Sequence, residues 1–489
     1  MISLRRDELE SLHYMDVLGM LGPSSPYGRE HVRTPRFFAP EERETLEREW
    51  QNVEKGILAL RNHADAVERL RHCFTQLRDI RSTLLRIHSE TLDEIELFEV
   101  KRYLLQLALI APVYRQTGAD FSGIEITEEA EALSLLDPDG MRLPAYSVHA
   151  APNSPLREAR NQKAALEAAL RESVGEEARR RLLEERLFWV TREEEETRRE
   201  RRRLTESLRL YAPALLKNAE AIGKIDFLLE KARIAAERGC AKPAIVKEGV
   251  RLFEMVNPRM DDAQAADRHD GFTPLTVFAP EGATVITGAN MGGKSIAIRT
   301  LALNVLLCHA GFYAFSARAE LSLFDSLHLI MEDFANEERG VSGFAAEMMR
   351  ISGLLTDIAR GNHCFSIIDE PARGTNPEEG AALVKALVKK ICNRRSVCVV
   401  TTHFEGVSGM ATARYRTAGF QNLPDSLPAG AGVRWFAKHM RYGLIPDDGT
   451  PPPRHALTVC RLLGLDREVL EEMKRLLFCD KNGEENCYD

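Results

Sequence analysis

Between residues 41 and 110, apolar side chains recur every three or four positions, with almost no glycine or proline to interrupt them. In "ETLEREWQNVEKGILALRNHADAVERLRHCFTQL", Leu46, Trp50, Val53, Ile57, Leu60, Ala64, Val67 and Leu70 keep that spacing. A helix returns to the same face every 3.6 residues, so the pattern predicts long amphipathic helices. "IELFEVKRYLLQLALI" (95–110) extends them. Pro, Asp and Gly then cluster in "LLDPDGMRLPAYSVHAAPNSP" (135–155) and mark a break. From Leu156 to about Leu215 the chain is dense in Arg, Glu, Leu and Ala, which reads as one or two long solvated helices, an antiparallel arm. The turn of that arm falls near "SVGEE" or "FWVTR", and the chain returns through "LKNAEAIGKIDFLLEKARIAAERG".

From about residue 265 the pattern changes. Short apolar, β-branched runs appear at 283–287 ("ATVIT"), 326–331 ("SLHLIM"), 363–368 ("HCFSII") and 396–402 ("SVCVVTT"), with helical stretches between them. Buried parallel strands joined by crossover helices fit this alternation. The expected fold class is therefore multidomain, an all-helical N-terminal half followed by an α/β half.

At 489 residues the chain is too long for one ordinary core, and roughly three domains are expected. Its composition, 44% hydrophobic and 29% charged, is that of a globular protein. A net charge of −8 excludes a general basic footprint for nucleic acid, so any such contact has to be local. The nine Cys show no CxxC pair and no zinc spacing, which reads as reduced thiols. No run of 18 apolar residues is present and the charged start lacks a signal-peptide core, so a cytoplasmic protein is expected.

"GANMGGKS" (288–295) satisfies G-x-x-x-x-G-K-[ST] between a predicted strand and a predicted helix. Such a loop converges its backbone N–H groups on phosphate oxygens, and glycines permit the angles this needs. The expected nucleotide-binding stretch is Gly288, Ala289, Asn290, Met291, Gly292, Gly293, Lys294, Ser295 and Ile296, with Lys294 reaching the β/γ-phosphates and the following helix offering its N-terminus to the anion. Ser295 would give its hydroxyl to Mg²⁺. A second strand, "CFSIIDE", ends in Asp369, a candidate metal ligand acting through water, and Glu370, a candidate to orient or deprotonate the attacking water. A third, "SVCVVTTH", ends in His403, placed to sense the γ-phosphate. "GVSGFAAEMMRISGLL" (340–355) puts Ser342 at a helix start, where it could cap the helix or meet the nucleotide of a second protomer.

Taken together, "TGANMGGKS", "SGFAAEM", "IIDEPARGTNPEEG" and "TTHFE" resemble the MutS family in order and spacing, strongly over about 265–415 and more weakly through "HALTVCRLLGLDREVLEEMKRLL" (455–477). The resemblance implies a helical core and lever with a protruding helical arm, plus an ABC-type P-loop ATPase domain with a parallel-rich sheet and flanking helices. It implies a helical core at 1–134, lever and clamp-like arm at 135–240, a connection at 241–264, the ATPase domain with its helical closure at 265–477, and a tail at 478–489. It also implies ATP and Mg²⁺ as cofactors, Glu370, His403 and Lys294 as catalytic residues, and Ser342 completing the site of a partner protomer in a homodimer or a heterodimer with a related subunit. The chain departs from the family at Ala289, usually Pro, and at Pro371-Ala372, usually Ile-Gly. The family's mismatch-reading and connector domains would precede the core, and a nuclease-like domain is not expected after Leu477, so mismatch recognition does not carry over.

Two clients are compatible with these motifs. The first is DNA held without base reading, for which "RRERRR" (198–203) supplies cations, although "REEEETRRERRR" nearly balances its charge and also reads as a solvated helix face. The second is a protein: some short MutS-like proteins look like chaperone-type reactivating ATPases of cobalamin-dependent aminomutases. A stand-alone metabolic kinase is disfavoured by the arm and by the lack of a substrate-pocket motif.

Overall fold

The computed structural model describes residues 2, 4–143, 146–260, 273–288, 293–331, 343–420, 440–447, 457, 460–461 and 464–479. The chain divides into two compact units, one formed by residues 1–20, 36–50 and 234–489, the other by 21–35 and 51–233. Its architecture is mixed, helical through residue 237 and α/β beyond it.

Helices α1 (Arg6–Ser11), α2 (Tyr14–Gly19), α3 (Pro26–Arg33), α4 (Arg43–Asn62), α5 (Ala64–Thr75), α6 (Arg81–Arg86), α7 (Glu94–Gln116) and α8 (Ala130–Leu136) come first. Of the eight periodic positions read from the sequence, Leu46, Trp50, Val53, Val67 and Leu70 are each at most 2% exposed, Ile57 and Leu60 are half-buried, and Ala64, the first residue of α5, is exposed. Local chemistry sets the helix starts. Asp93 accepts a bond from the Glu96 N–H while Glu96 accepts from the Asp93 N–H, so α7 opens on a reciprocal capping box.

Helices α9 (Pro155–Glu172) and α10 (Glu176–Leu208) form a long hairpin. Ser154 caps α9 by accepting from the Arg157 N–H, and Pro155 occupies its first position. The two helices run antiparallel, because Arg160 and Lys163 pair with Glu193 near one end and Glu167 pairs with Arg186 further along. The turn lies at residues 173–175, within "SVGEE", where Gly175 takes φ +117. The other expected turn, "FWVTR", is mid-helix, since nothing in it interrupts the backbone bonds of α10. The chain returns through α11 (Ala212–Glu237).

The α/β part holds two sheets. Strands β1 (Ala244–Ile245), β2 (Val250–Met255), β3 (Leu275–Ala279) and β5 (Arg318–Leu321) form one, in the order β1-β5-β2-β3. The larger sheet contains β4 (Gly282–Thr287), β6 (Ser326–Ile330), β7 (Cys364–Ile368), β8 (Val397–Thr402), β9 (Ala413–Phe420) and β10 (Met440–Pro446), in the order β10-β9-β4-β8-β7-β6. All its pairings are parallel except β9 with β10. Strands β7 and β8 are buried at every position and β4 at all but its last. Covering on both faces is why these strands read as unbroken apolar runs rather than as alternation. Helix α12 (Lys294–His309) is apolar all round and accordingly buried. Helices α13 (Gly343–Ala359) and α14 (Pro377–Ile391) cover the sheet, with Ile351, Leu354, Val384 and Val388 in one cluster with Val285, Ile368 and Val400. Helix α15 (Arg467–Cys479) follows β10 in the chain.

The last residue of α12, His309, is fully buried, and its Nδ1 lies 3.0 Å from the Phe38 carbonyl oxygen. The carbonyl accepts, so Nδ1 carries the proton and the ring is neutral. Burial disfavours the imidazolium and pushes the pKa down from 6.5 to about 4, with His363 repelling it further and the Phe38 bond opposing the shift. A lowered folded-state value means that the unfolded chain takes up the proton first as pH falls. His309 therefore contributes stability above pH 6.5 and loses it progressively toward pH 4. The expected loss between pH 7 and pH 5 is about 2 kcal/mol. Urea unfolding of wild type and His309→Gln at both pH values tests this, with the variant expected to lose correspondingly less on acidification. Equal acid losses in the two proteins would place the proton uptake elsewhere.

Candidate nucleotide site

Parallel pairing sets the level of three strand ends. Thr287 at the end of β4 pairs with Thr402 of β8, and Val400 of β8 pairs with Ile368 of β7. Counting two residues on, Thr287, Thr402 and Glu370 lie at one level, and Gly288 and His403 at the next. The carboxyl ends of parallel strands are where such sheets open a crevice for ligands. The strand carrying His403 lies between the strand that leads into the glycine loop and the strand that ends in Asp369.

Gly288 takes φ +140, and a Cβ placed there would come within 2.1 Å of the Thr417 hydroxyl oxygen. No other residue fits. Gly293 takes φ +84 as the N-cap of α12 and turns the chain into the helix. Lys294 is 3% exposed, and its ammonium donates to the Gly288 carbonyl at 2.6 Å and lies 3.0 Å from Glu370 Oε1. Ser295 and Ile296 follow in the first turn of α12, both partly buried. Ala289, Asn290, Met291 and Gly292, and likewise Ser342, lie outside the described residues.

Asp369 and Glu370 are held by the neighbouring strand. The Thr401 hydroxyl donates to Asp369 Oδ1 at 2.5 Å and accepts from the Glu370 N–H at 2.9 Å. One side chain on β8 thus fixes both acids at the end of β7. Arg373 lies 3.8 Å from Glu370 Oε2, so that carboxylate sits between two cations. Glu370 and Ala372 both take left-handed backbone angles, φ +45 and +63. Strain of this kind costs about 1–3 kcal/mol per residue and persists only where the surroundings enforce it. Here the Glu347 carboxylate on α13 accepts from the Ala372 N–H at 3.1 Å. Ala372 is one of the two positions where this chain departs from Ile-Gly, and it adopts the angle a glycine would take without penalty.

The structure thus brings together Gly288, Lys294, Asp369 and Glu370, with Ser295 adjacent. His403 follows β8 directly and is exposed, and among the described residues its ring contact is with Phe404, at a centroid distance of 4.5 Å. Thr401, Glu347 and Arg373 were not legible as site residues. Thr401 belongs to an apolar run, and Glu347 acts through a backbone N–H brought to it by the fold.

Chemically, a buried ammonium beside a carboxylate and a helix N-terminus suits a phosphate chain. Among the described residues no cluster of three His, Cys, Asp or Glu forms a metal cage. The oxygens of Ser295 and Asp369 instead suit a hard divalent cation that completes its shell with water and phosphate, the habit of Mg²⁺. On the hairpin, three of the five arginines at 198–203 are already engaged: Arg199 pairs with Glu196, Arg203 with Glu200, and Arg201 donates to the Leu92 carbonyl. Among the described residues no helix is long and apolar enough to cross a membrane.

Residues 284–425 match the family described as MutS domain V. The chain is similar to proteins named Endonuclease MutS2. The one from Thermus thermophilus is 30% identical over 53% of this chain and 32% of its own length. That from Thermomicrobium roseum is 30% identical over 56% and 34%, and that from Geobacillus sp. (strain WCH70) 28% over 58% and 34%. The chain thus spans about a third of the length of the curated relatives it matches. The matched domain takes in β6 through β9 and the helices that carry Lys294 and Glu347, and the relatives agree with it, so over this part the chain is MutS-like.

Proposed function

We propose that this protein is an ATP hydrolase of the ABC type, in which nucleotide binding and hydrolysis close and reopen a dimer on DNA. The observation that carries the reading is the buried Lys294 ammonium 3.0 Å from Glu370, at the carboxyl ends of parallel strands and beside a glycine loop. Lys294 and the loop N–H groups would bind the phosphates, and Ser295 and Asp369 would hold Mg²⁺. The metal, when bound, neutralises developing phosphate charge. Glu370, 3.0 Å from Lys294 and 3.8 Å from Arg373, takes a proton from water. Thr401 positions both acids. His403, at the same level as Gly288, orients the γ-phosphate. Ser342 of a second protomer would complete each site, and the α9–α10 hairpin would be the clamp-like arm.

The DNA client follows from the family and from relatives that are named endonucleases. With Arg199 and Arg203 paired within the hairpin, contact would be local and made to phosphates, without base reading.

Glu370→Gln should bind ATP as wild type does but lower kcat by about 10²–10⁴-fold, since an amide still hydrogen-bonds water and cannot accept its proton. Single-turnover hydrolysis beside equilibrium nucleotide binding checks this, and wild-type turnover would remove Glu370 from the base role.

Lys294→Ala should abolish nucleotide binding. It should also lower stability by about 3–5 kcal/mol, because Glu370 loses a buried partner. Lys294→Met, which keeps the volume, is the companion variant. Tight ATP binding by either folded protein would refute the phosphate role.

In the Glu370→Gln protein with ATP, duplex binding should fall at least about tenfold between 50 and 200 mM salt, as expected for two or more phosphate contacts. Fluorescence anisotropy measures it. If no duplex is bound at low salt, the client is not DNA.

A further inference from the structure

Helix α10 carries an exposed stripe that the nucleotide site does not use. Stepping along it by 4, 3, 4, 4, 3 and 4 residues meets Glu177, Arg181, Glu184, Phe188, Arg192, Glu195 and Arg199. At 100° per residue all seven lie within about 40° of the direction of Phe188. The opposite flank faces α9, where Arg186 and Glu193 pair with Glu167 and Arg160. Phe188 is 63% exposed, and Leu187 on its flank 65%. The charged members are open too: Glu177 and Arg181 are 84% and 78% exposed, Glu184 70%, Arg192 and Glu195 41% and 55%, and Arg199 68%.

Both the spacing and the charges of this stripe have a centre. The steps are the same outward from Phe188 in either direction. The signs are opposite at every matched distance: Glu184 against Arg192, Arg181 against Glu195, and Glu177 against Arg199. A two-fold axis through Phe188, perpendicular to the helix, brings each residue against its opposite in a second copy and Phe188 against itself. Each of the three pairs then occurs twice, and no like-charged pair forms. Steps of three and four are also those by which one helix seats on another. Alternation of sign on each side of Phe188 serves pairs within the helix, and the opposite phase of the two sides is what a two-fold partner would use.

We infer that α10 is a self-association surface, on which a second copy of this chain pairs antiparallel through Phe188. A two-fold contact must be self-complementary, which is the property this stripe has. The partners the charges now hold are within the helix: Arg181 with Glu177 at 3.0 Å, Arg192 with Glu195 at 3.4 Å and Arg199 with Glu196 at 2.9 Å. Such exposed pairs are worth about 0–1 kcal/mol and exchange partners at little cost. The stacked Phe188 rings supply the apolar centre, and the flanking charges supply register and orientation. The inference rests on α10 and not on the nucleotide reading, so it is tested without nucleotide.

Sedimentation velocity of the full chain at low salt, without ATP, should show concentration-dependent dimerisation. Arg181→Glu sets an acid against the partner copy's acid at 195, and Glu195→Arg sets a cation against the cation at 181. Each single variant should weaken the dimer at least tenfold. The double variant Arg181→Glu/Glu195→Arg should return to within threefold of wild type. The local repulsion of Glu177 is the same in the single and double 181 variants, so recovery in the double reads the contact between copies. Phe188→Glu should be monomeric, with far-UV circular dichroism confirming an intact helix. A wild type that stays monomeric, single variants that associate as wild type does, or a double as weak as the singles would each overturn the inference. Loss of ATP binding in Lys294→Ala with this dimer unchanged would keep the two readings separate.

Discussion

A lysine ammonium that is 3% exposed has to be compensated inside the fold, and the way Lys294 is compensated organises the sheet around it. Its bond to the Gly288 carbonyl ties the start of α12 back to the end of β4. Its contact with Glu370 reaches across β8 to the end of β7. Removing one member of a buried pair costs about 3–5 kcal/mol, because the survivor keeps its charge and loses its partner. The register of three strands and the entry angle of one helix are therefore all conditions for keeping this pair. Gly288 adds a steric condition on the other side, since only a residue without Cβ fits against Thr417 on β9.

The turn after β7 is arranged to the same end. Glu370 meets Lys294 by adopting a left-handed conformation, and Ala372 two residues on adopts another. Neither is a residue type that visits this region freely. The Thr401 hydroxyl and the Glu347 carboxylate bond the backbone N–H groups of these two residues. The strain is thus opposed by one hydrogen bond from β8 and one from α13. A shift of α13 along its axis would alter the hold on Ala372, and with it the aim of Glu370. This is a direct mechanical link between the helix that follows Ser342 in the chain and the proposed base.

How far the sequence reveals the structure depends on which faces an element buries. Strands β4, β7 and β8 are covered on both sides, so burial writes itself into the chain as a continuous apolar run. Strands β2 and β9 carry Arg251 and Glu254, and Arg414 and Arg416, because they are partly exposed; their mixed pattern hides them, and β2 precedes the first strand that the apolar runs announce. The hairpin was legible as charged helices because proline and glycine are absent over α10, and its turn was legible only to within two candidates. Gly175, with φ +117, decides between them. Lys294 and the Asp369–Glu370 pair could be expected together because a phosphate site would dictate residue types at fixed spacing, and the structure brings Lys294 to 3.0 Å from Glu370. Thr401 was not legible, since a threonine in an apolar strand looks the same whether it fills space or bonds two acids.

Charge is used in two opposite ways in this chain. Around Glu370 it is unbalanced in number, the buried Lys294 and the more exposed Arg373 converging on one carboxylate. That arrangement is costly to disturb and suits chemistry in which a phosphate anion competes for the same lysine. Along α10 it is exposed and nearly balanced, so any one pair contributes little. What such a surface can encode is pattern rather than strength. Each α10 pairing within the helix is i,i+3 or i,i+4 and would be satisfied by many arrangements of Glu and Arg. Opposite signs at equal distances from Phe188 are not required by any of them. The phase of the charges on the two sides of Phe188 is the part of the pattern that pairs within the helix leave open, and an antiparallel partner of identical sequence would use it.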